Sequence, residues 1–231
     1  MMTTQKTSFV KHFSFDFDGT TINTTIAGFN KVNTVLKLIG LSPVSHDYLR
    51  PLWGEKFDVL ANIVCRYVGG TAEHVQAFLE TEKEIPFTCE INEEFFLTLD
   101  ELRRRDCLVS LLTSRDIDSL LKLSKNLGFD LDVFNYIQTP EDTKYHKPDG
   151  RVFEPLFEWA ATKNCQPENT IYFGDTVKYD LAATLNSKPP IKFVGVVSGV
   201  NTAPEFYLNG VKDIVYSIDD LPEYLRSISN E

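Results

Sequence analysis

Residues 9–21 of the chain read FVKHFSFDFDGTT and contain the most informative pattern in the sequence. Its first part alternates roughly between apolar and polar side chains and is rich in Phe, which predicts a strand over residues 9–16 that ends at Asp16. Asp18 follows, and a Gly-Thr pair then turns the backbone. Side chains two positions apart in an extended segment point the same way, so both carboxylates are expected at one strand end, roughly 6–7 Å apart along the chain.

Strands and helices alternate after residue 106. The strands are short and apolar, whereas the helices between them carry apolar residues at helical spacing. The predicted strands cover 107–113, 135–139, 170–175, 192–198 and 213–217, and the predicted helices cover 117–128, 150–163, 177–187 and 219–228. This alternation requires crossover connections, which predict a parallel sheet covered on both faces. The expected fold class is therefore α/β, with a doubly wound parallel sheet.

A different pattern separates the first strand from this alternation. Residues 22–105 contain several segments with apolar residues at helical spacing, punctuated by Gly and Pro, and no convincing strand. The sequence therefore predicts an α/β core formed by residues 1–21 and 106–231, with an inserted helical domain over residues 22–105.

Composition narrows the classes of partner. Of the 231 residues, 42% are hydrophobic and 24% are charged, and the formal net charge of −10 disfavours nucleic acid and anionic membranes. The four cysteines match no zinc-binding spacing. Residues 1–11 lack the apolar core of a signal peptide, and no apolar stretch approaches the roughly 20 residues needed to span a bilayer. We expect a soluble cytoplasmic protein, and the sequence leaves its oligomeric state open.

Strand ends and a helix start contribute polar groups to the same edge of the sheet as Asp16. They are, in chain order, Thr113, Ser114, Arg115, Lys147, Asp175 and Asp180. Carboxylates that lie close together repel unless a proton or a cation joins them, and hard oxygen ligands suit Mg²⁺. A lysine and a hydroxyl are what a transferring phosphoryl group needs for its equatorial oxygens. The pattern indicates a site that combines Mg²⁺ with a phosphoryl group.

The order of these motifs resembles that of the haloacid dehalogenase superfamily over nearly the whole chain. The motifs are Asp-Phe-Asp-Gly-Thr at residues 16–20, a strand that ends in Thr113, the pair Lys147-Pro148, and Gly174-Asp175 followed by Asp180. The resemblance implies that Asp16 is the nucleophile and that Asp18 is the general acid and base. It also implies that Mg²⁺ is bound by Asp16, by Asp175 and Asp180, and by the backbone carbonyl of Asp18.

The same resemblance implies roles for the other core residues. Thr113 would orient the phosphoryl group, and Lys147 would stabilise the charge of the nucleophile and of the phosphoryl group. Ser114 and Arg115 follow Thr113 and are candidate substrate contacts. A second interpretation of Thr113 stays open, because a hydroxyl at a strand end often caps the next helix.

The insertion over residues 22–105 has the position and length of this family's helical cap domain. Within the family, the chain is most similar to the phosphoglycolate phosphatase-like branch. Thr21 and Asn23 replace the Leu and Asp that usually follow the first motif. This departure leaves the core chemistry alone but weakens any inference about the substrate.

Three residues of the insertion flank a break between helices at Gly54. They are Arg50, Trp53 and Lys56, and the resemblance makes them candidate substrate contacts, because a family cap presents its specificity loop about there. A solvated turn with one buried Trp explains the same residues equally well.

The expected function is a Mg²⁺-dependent phosphatase that hydrolyses a small phosphorylated metabolite through an aspartyl-phosphate intermediate. The metabolite could be phosphoglycolate-like, a sugar phosphate or a nucleotide. A β-phosphoglucomutase-like phosphotransferase shares every core motif and is the first alternative. A phosphonoacetaldehyde hydrolase would use a cap lysine, such as Lys56, but lacks the second Asp found here as Asp18. A non-catalytic binding module on the same scaffold is the third alternative, although such modules commonly lose the nucleophile or a metal ligand.

Overall fold

The chain divides into two compact units. The residues that the computed structural model describes are 12–229 without 54, 56 and 88. The core unit comprises the residues up to Ile22 and those from Glu90 onward, and the insertion unit comprises Asn23–Cys89. The core unit is therefore discontinuous in sequence, and its first strand is separated from the others by the insertion unit.

A six-stranded parallel sheet lies within the described part of the core unit. Its strands are β1 (His12–Phe15), β2 (Leu108–Leu112), β3 (Tyr136–Gln138), β4 (Thr170–Gly174), β5 (Lys192–Val196) and β6 (Ile214–Val215), in the order β3-β2-β1-β4-β5-β6. In β1, Phe13 is paired with Val109 on one side and with Ile171 on the other. Every residue of β1 and β4 is buried, as central strands of a parallel sheet require. This strand order confirms the predicted fold class; residues 9–11 of the predicted first strand lie outside the described residues.

Helices account for most of the remaining regular structure. The α-helices of the described residues are α1 (Thr24–Leu38), α2 (His46–Leu49), α3 (Phe57–Tyr67), α4 (Ala72–Glu84), α5 (Glu93–Arg104), α6 (Ile117–Leu127), α7 (Glu154–Ala161), α8 (Ala182–Asn186), α9 (Ala203–Leu208) and α10 (Leu221–Ser229). Local signals fix the ends of α6: the Asp116 carboxylate accepts from the Ser119 N–H, and Gly128 ends the helix with a φ of 76°. Among the described residues, no helix is both long and apolar enough for a bilayer crossing.

Helix α5 corrects the predicted domain boundary. The sequence placed residues 22–105 in the inserted domain, but the insertion unit ends at Cys89 and α5 belongs to the core unit. The helix packs against β2 and α10, and the Phe95 ring lies edge-on to Phe15 of β1 at 5.3 Å. The prediction was wrong because an amphipathic pattern shows that a helix has a buried face, and not which core buries it.

Two predicted helices begin with other kinds of turn. The helix expected over 150–163 begins with the 3₁₀ turn Gly150–Phe153, and the helix expected over 177–187 begins with the π-helical turn Val177–Leu181. A π-helical turn closes its hydrogen bond over one more residue than an α-helical turn, which changes the direction of its side chains. The second of these turns carries Asp180.

The insertion unit has an apolar core of its own. Its buried side chains include Phe29, Leu36, Leu60, Val64 and Phe78, which come from α1, α3 and α4. These helices bury their apolar faces against one another, as the helical spacing of the apolar residues predicts.

Candidate active site

The candidate site lies where the strand order reverses, between β1 and β4. Doubly wound sheets bind ligands outside the carboxyl ends of the strands at this point. Asp16 follows β1 and Asp175 follows β4. The backbone N–H of Asp16 donates to the Phe173 carbonyl at 2.8 Å, which ties the two strand ends together. Gly19, with a φ of 80°, turns the chain back, and the Thr21 hydroxyl donates to the Asp16 carbonyl at 2.6 Å.

Three carboxylates converge at this point and form what we term the acidic cluster: Asp16, Asp175 and Asp180. One oxygen from each lies within 4.8 Å of the others. All three side chains are buried, with exposed fractions of 6%, 2% and 1%. Buried carboxylates at this distance repel one another unless protons or a cation intervene. Hard oxygen donors at this spacing fit a divalent cation such as Mg²⁺.

A single ammonium group is inserted into the acidic cluster. Lys147 Nζ donates to Asp16 Oδ1 at 2.6 Å, to Asp180 Oδ1 at 2.7 Å and to the Tyr172 hydroxyl at 3.1 Å. Burial alone would lower the pKa of Lys147, but the carboxylates of Asp16 and Asp180 hold the pKa well above its ordinary value. Lys147 is therefore a permanent cation against the nucleophile that the sequence predicts.

The carboxylates outnumber the ammonium, and the excess negative charge changes their acidity. Burial raises the pKa of Asp16 to about 7, and the Asp180 carboxylate adds to the rise while Lys147 opposes it. Burial, together with Asp180 and Asp16, also raises the pKa of Asp175 well above its ordinary value. A bound divalent cation would favour the ionised forms of both groups and would complete the charge balance of the site.

Asp180 is held from both sides by hydrogen bonds. Its Oδ1 accepts from Lys147 and, at 3.1 Å, from the Tyr172 hydroxyl. Its Oδ2 accepts from the Thr176 N–H at 3.0 Å and from the Thr176 hydroxyl. Two acceptor sites on each oxygen are the usual capacity of a carboxylate. Asp180 is thus a member of the acidic cluster that also holds Lys147 and the start of the π-helical turn in position.

A loop after β5 holds Asp175. The Val200 N–H donates to Asp175 Oδ2 at 2.8 Å, and the Asn201 N–H donates to the Asp175 carbonyl at 3.1 Å. Asn201 Oδ1 in turn accepts from the Val177 N–H at 2.7 Å. A Cβ at Gly199 would lie 1.9 Å from Asp175 Oδ2, so only glycine leaves room for this carboxylate.

Asp18 and Arg115 form an ion pair next to the acidic cluster. Arg115 Nη2 donates to Asp18 Oδ1 at 2.5 Å and Nε donates to Oδ2 at 3.1 Å. Arg115 also donates to the Ser119 hydroxyl at 2.9 Å. The Asp18 side chain is therefore engaged with Arg115, the residue predicted as a substrate contact. The prediction that the backbone carbonyl of Asp18 binds the ion stays a prediction.

Thr113 and Ser114 differ sharply in their surroundings. Thr113 is buried, and its hydroxyl oxygen accepts from the Arg115 N–H at 3.0 Å, whereas Ser114 is exposed. Among the described residues, the hydroxyl proton of Thr113 has no acceptor, so it can be donated to a ligand. The capping interpretation of Thr113 is not needed for α6, because Asp116 caps that helix.

The three predicted contacts of the insertion belong to the insertion unit. Trp53 packs within that unit: its ring lies edge-on to Phe29 at 4.9 Å and over Gly28, where a Cβ would come within 2.1 Å of it. Arg50 lies at the start of a 3₁₀ turn and is half-buried. Lys56 lies outside the described residues. A role for these three residues in substrate binding stays a prediction.

Sequence reasoning missed Tyr172, Gly199 and Val200. Tyr172 had a detectable signal, because its hydroxyl lies between the apolar residues Ile171 and Phe173 of β4. Gly199 acts by having no side chain, and Val200 acts through its backbone N–H. A single sequence reveals neither property.

Comparisons with known proteins agree with this geometry. The sequence model of the family described as haloacid dehalogenase-like hydrolase matches residues 14–196. A protein of Clostridium perfringens (strain 13 / Type A), named as the pyrophosphatase PpaX, is 25% identical over 238 residues, which cover 94% of this chain and all of the relative.

Solved structures share the fold. A predicted phosphoglycolate phosphatase from Haemophilus somnus 129PT has a TM-score of 0.70 at 16% identity, covering 94% of this chain and 99% of the other. A protein of Thermotoga maritima named as a β-phosphoglucomutase has a TM-score of 0.71 at 19% identity, with the same shares covered. At these identities the structures support the fold alone. Because the family match spans most of the sequence, from β1 to β5, this chain belongs to the haloacid dehalogenase-like hydrolase family.

Proposed function

We propose that the chain is a Mg²⁺-dependent phosphatase that transfers the phosphoryl group of a small metabolite to Asp16 and then to water. One observation carries the proposal: the buried Asp16 carboxylate lies 2.6 Å from the Lys147 ammonium and belongs to the acidic cluster. A nucleophile between an ammonium and a cation site suits attack on phosphorus, because positive charge then faces the phosphoryl oxygens. Membership of a hydrolase family supports the same chemistry.

The proposed reaction has two steps. In the first, an oxygen of Asp16 attacks phosphorus, the bond from phosphorus to the ester oxygen breaks, and Asp18 gives a proton to the departing oxygen. In the second, water attacks the phosphorus of the aspartyl phosphate, Asp18 takes a proton from that water, and Asp16 leaves as a carboxylate. Lys147 holds Asp16 Oδ1 in place, and Thr113 can donate its hydroxyl proton to a phosphoryl oxygen.

The donor set of the site fits Mg²⁺. Asp16, Asp175 and the backbone carbonyl of Asp18 would hold the ion. Asp180, predicted as a further ligand, already accepts four hydrogen bonds, so its part in the site would be its negative charge and its hold on Lys147. When bound, Mg²⁺ supplies charge that offsets the negative phosphoryl oxygens. Lys147 brings one positive charge against the three carboxylates of the acidic cluster, so its ammonium alone does not offset the negative charge of the site.

A small phosphorylated metabolite is the proposed substrate class, and phosphoglycolate-like compounds, sugar phosphates and nucleotides all belong to it. The names of the relatives, a pyrophosphatase and a phosphoglycolate phosphatase, support such substrates without choosing among them. The formal net charge of −10 favours a substrate drawn in by a local cation site over a polyanionic macromolecule.

A second candidate function is a phosphotransferase of the β-phosphoglucomutase kind. The structural similarity to the Thermotoga maritima protein supports this second candidate. A mutase returns the phosphoryl group to the sugar, whereas a phosphatase releases inorganic phosphate. Incubation with hexose phosphates and measurement of both free phosphate and isomeric sugar phosphate separates the two.

The decisive experiment is a phosphate-release assay with an aryl phosphate and a panel of phosphorylated metabolites, with Mg²⁺ and with EDTA. We expect turnover that requires Mg²⁺, and we expect Asp16→Asn to abolish it while the protein stays folded. Asp220→Asn is the matched control, because it makes the same change on an exposed carboxylate of the core unit. Near wild-type turnover by Asp16→Asn would show that the nucleophile is assigned wrongly.

A further inference from the structure

Tyr172 lies in the middle of β4, and its side chain is completely buried. Its ring is fixed by aromatic neighbours: Phe153 lies edge-on at 5.1 Å, and Phe193 lies at 6.4 Å. Because the strand is central in the sheet and the ring is packed against these neighbours, the hydroxyl at the end of the ring has a defined position. That position is next to the acidic cluster.

The hydroxyl makes two hydrogen bonds with charged groups. It accepts from Lys147 Nζ at 3.1 Å and lies 3.1 Å from Asp180 Oδ1, to which it can donate its proton. A backbone acceptor, the Leu112 carbonyl, lies farther away at 3.5 Å. Lys147, Asp180 and Tyr172 therefore form a closed triangle in which each member bonds to the other two.

The triangle completes the hydrogen bonding of the ammonium. An ammonium has three N–H donors, and those of Lys147 go to Asp16, Asp180 and Tyr172. The Lys147 side chain is only 5% exposed, so water cannot readily replace a lost partner. Without the hydroxyl, one donor would lack an acceptor and the ammonium could move within its site.

We propose that Tyr172 is a positioning residue, whose hydroxyl keeps the Lys147 ammonium aimed at the nucleophilic carboxylate of Asp16. The inference rests on the proposed phosphatase function and goes beyond it, because it assigns a role to a residue that does not touch the reacting atoms. An ammonium that is slightly displaced still attracts the substrate but stabilises the transition state less. The loss should therefore appear in kcat and not in KM.

The test compares Tyr172→Phe with the wild-type protein in the Mg²⁺-dependent phosphatase assay. We expect kcat to fall about tenfold, with KM and the half-saturating Mg²⁺ concentration each within about twofold. Tyr136→Phe is the matched control: it removes a tyrosine hydroxyl from β3 of the same sheet, where that hydroxyl has no hydrogen-bond partner among the described residues, and kcat should stay unchanged. An unchanged kcat in Tyr172→Phe, or a parallel change of kcat, KM and Mg²⁺ requirement, would overturn the inference.

A double-mutant cycle with Lys147→Met tests whether Tyr172 acts through Lys147. If Tyr172 acts only through Lys147, Tyr172→Phe should not lower kcat further in the Lys147→Met background. This background also contains no buried ammonium that the change could leave unpaired, so the comparison holds even if the single variant folds poorly. Additive losses would overturn the positioning role. A wild-type protein with no phosphatase activity would instead contradict the proposed function itself.

Discussion

Gly199 leaves the room that the Asp175 carboxylate needs. In Gly199→Ala the new Cβ would meet Asp175 Oδ2 at 1.9 Å, so the carboxylate or the loop must move and the bond from the Val200 N–H is strained or lost. We expect the affinity for Mg²⁺ to fall on the order of 10–100-fold, the range found when groups that orient a metal ligand are removed. Calorimetric titration of Mg²⁺, together with the Mg²⁺ dependence of kcat, measures the effect.

Gly210→Ala is the contrasting control. Gly210 has a φ of 80° but open space around its Cα, so alanine there strains the backbone without touching the site. We expect about 1 kcal/mol or more of lost stability and unchanged Mg²⁺ affinity. Equal losses of Mg²⁺ affinity in the two variants would show that the Asp175 contact is not the cause.

The buried side chain of His12 makes the stability of the fold depend on pH in the acidic range. It is buried between the Thr170 and Ser110 hydroxyls, at 3.0 Å and 2.8 Å, and burial lowers its pKa from 6.5 to about 3. Since the unfolded chain binds this proton more readily, the stabilisation from neutral His12 is complete above about pH 6.5 and is lost as the pH falls toward 3.

At pH 5 we expect His12 alone to lower the free energy of unfolding by about 2 kcal/mol relative to pH 7.5. Urea unfolding of the wild type and of His12→Gln at both pH values measures it, because the variant lacks this titrating group. The difference in stability between the two proteins should shrink at pH 5. A difference that is independent of pH would contradict the assignment.

The residues that carry chemistry were the most predictable part of the site. Asp16, Lys147 and Asp175 were expected at one edge of the sheet, and the structure brings them together. Such side chains are recognisable because their chemical type and their place at a strand end are both visible in a sequence. The packing that holds them was not predictable, because a glycine such as Gly199 has no side chain and Val200 acts through its backbone.

At the scale of elements, the π-helical turn Val177–Leu181 determines how Asp180 approaches the site. Thr176 begins this turn: its hydroxyl bonds to Asp180 Oδ2 and also accepts from the Asp180 N–H at 3.0 Å. Thr176→Val keeps the shape of the side chain and removes both bonds. We expect about a tenfold lower Mg²⁺ affinity or kcat, because Asp180 loses part of its support.

Thr184→Val is the matched control for this element. Thr184 is buried in α8, just after the π-helical turn, and its hydroxyl donates to the Leu181 carbonyl at 2.7 Å and not to the Asp180 carboxylate. Steady-state kinetics over a range of Mg²⁺ concentrations should show a loss only in Thr176→Val. Comparable losses in both variants would mean that the effect comes from the helix and not from Asp180.

Element boundaries show where sequence patterns stop being informative. Hydrophobic periodicity identified the strands and α5 as elements, since both patterns are local. It gave no sign of the π-helical turn, which depends on hydrogen bonds from Thr176 to Asp180, and it assigned α5 to the wrong unit. The core that buries a helix is decided by distant residues, such as Phe15 against Phe95.

The stabilisation of the whole molecule by a divalent cation should depend on pH. Since burial raises the pKa of Asp16 to about 7 and raises that of Asp175 well above its ordinary value, these two carboxyl groups bind more protons in the cation-free folded protein than in the unfolded chain. The contribution of Asp16 to stability is fully present below about pH 4 and is lost as the pH rises through about 7, and that of Asp175 changes in the same direction. Mg²⁺ competes with these protons, so its stabilising effect should grow with pH.

Thermal unfolding with and without Mg²⁺ at pH 5.5 and pH 8 tests this expectation. A cation at about 100 times its Kd adds about 2.7 kcal/mol, so a clear rise in Tm is expected at pH 8, and a smaller one at pH 5.5. In Asp16→Asn the pH dependence of the shift should weaken, because one of the competing protons is gone. A shift in Tm of the same size at both pH values would contradict the charge balance inferred for the acidic cluster.

The support of Asp175 by Val200 and Asn201 has a consequence for synthesis of the chain. The recognisable motifs are all translated by residue 180, but the backbone N–H groups that hold Asp175 come 20 and more residues later. Strand β1 must likewise wait for β4, its partner from residues 170–174. A nascent polypeptide released before residue 200 would carry every motif by which we assigned the site and still lack the groups that hold Asp175, so we expect premature termination there to give an inactive product.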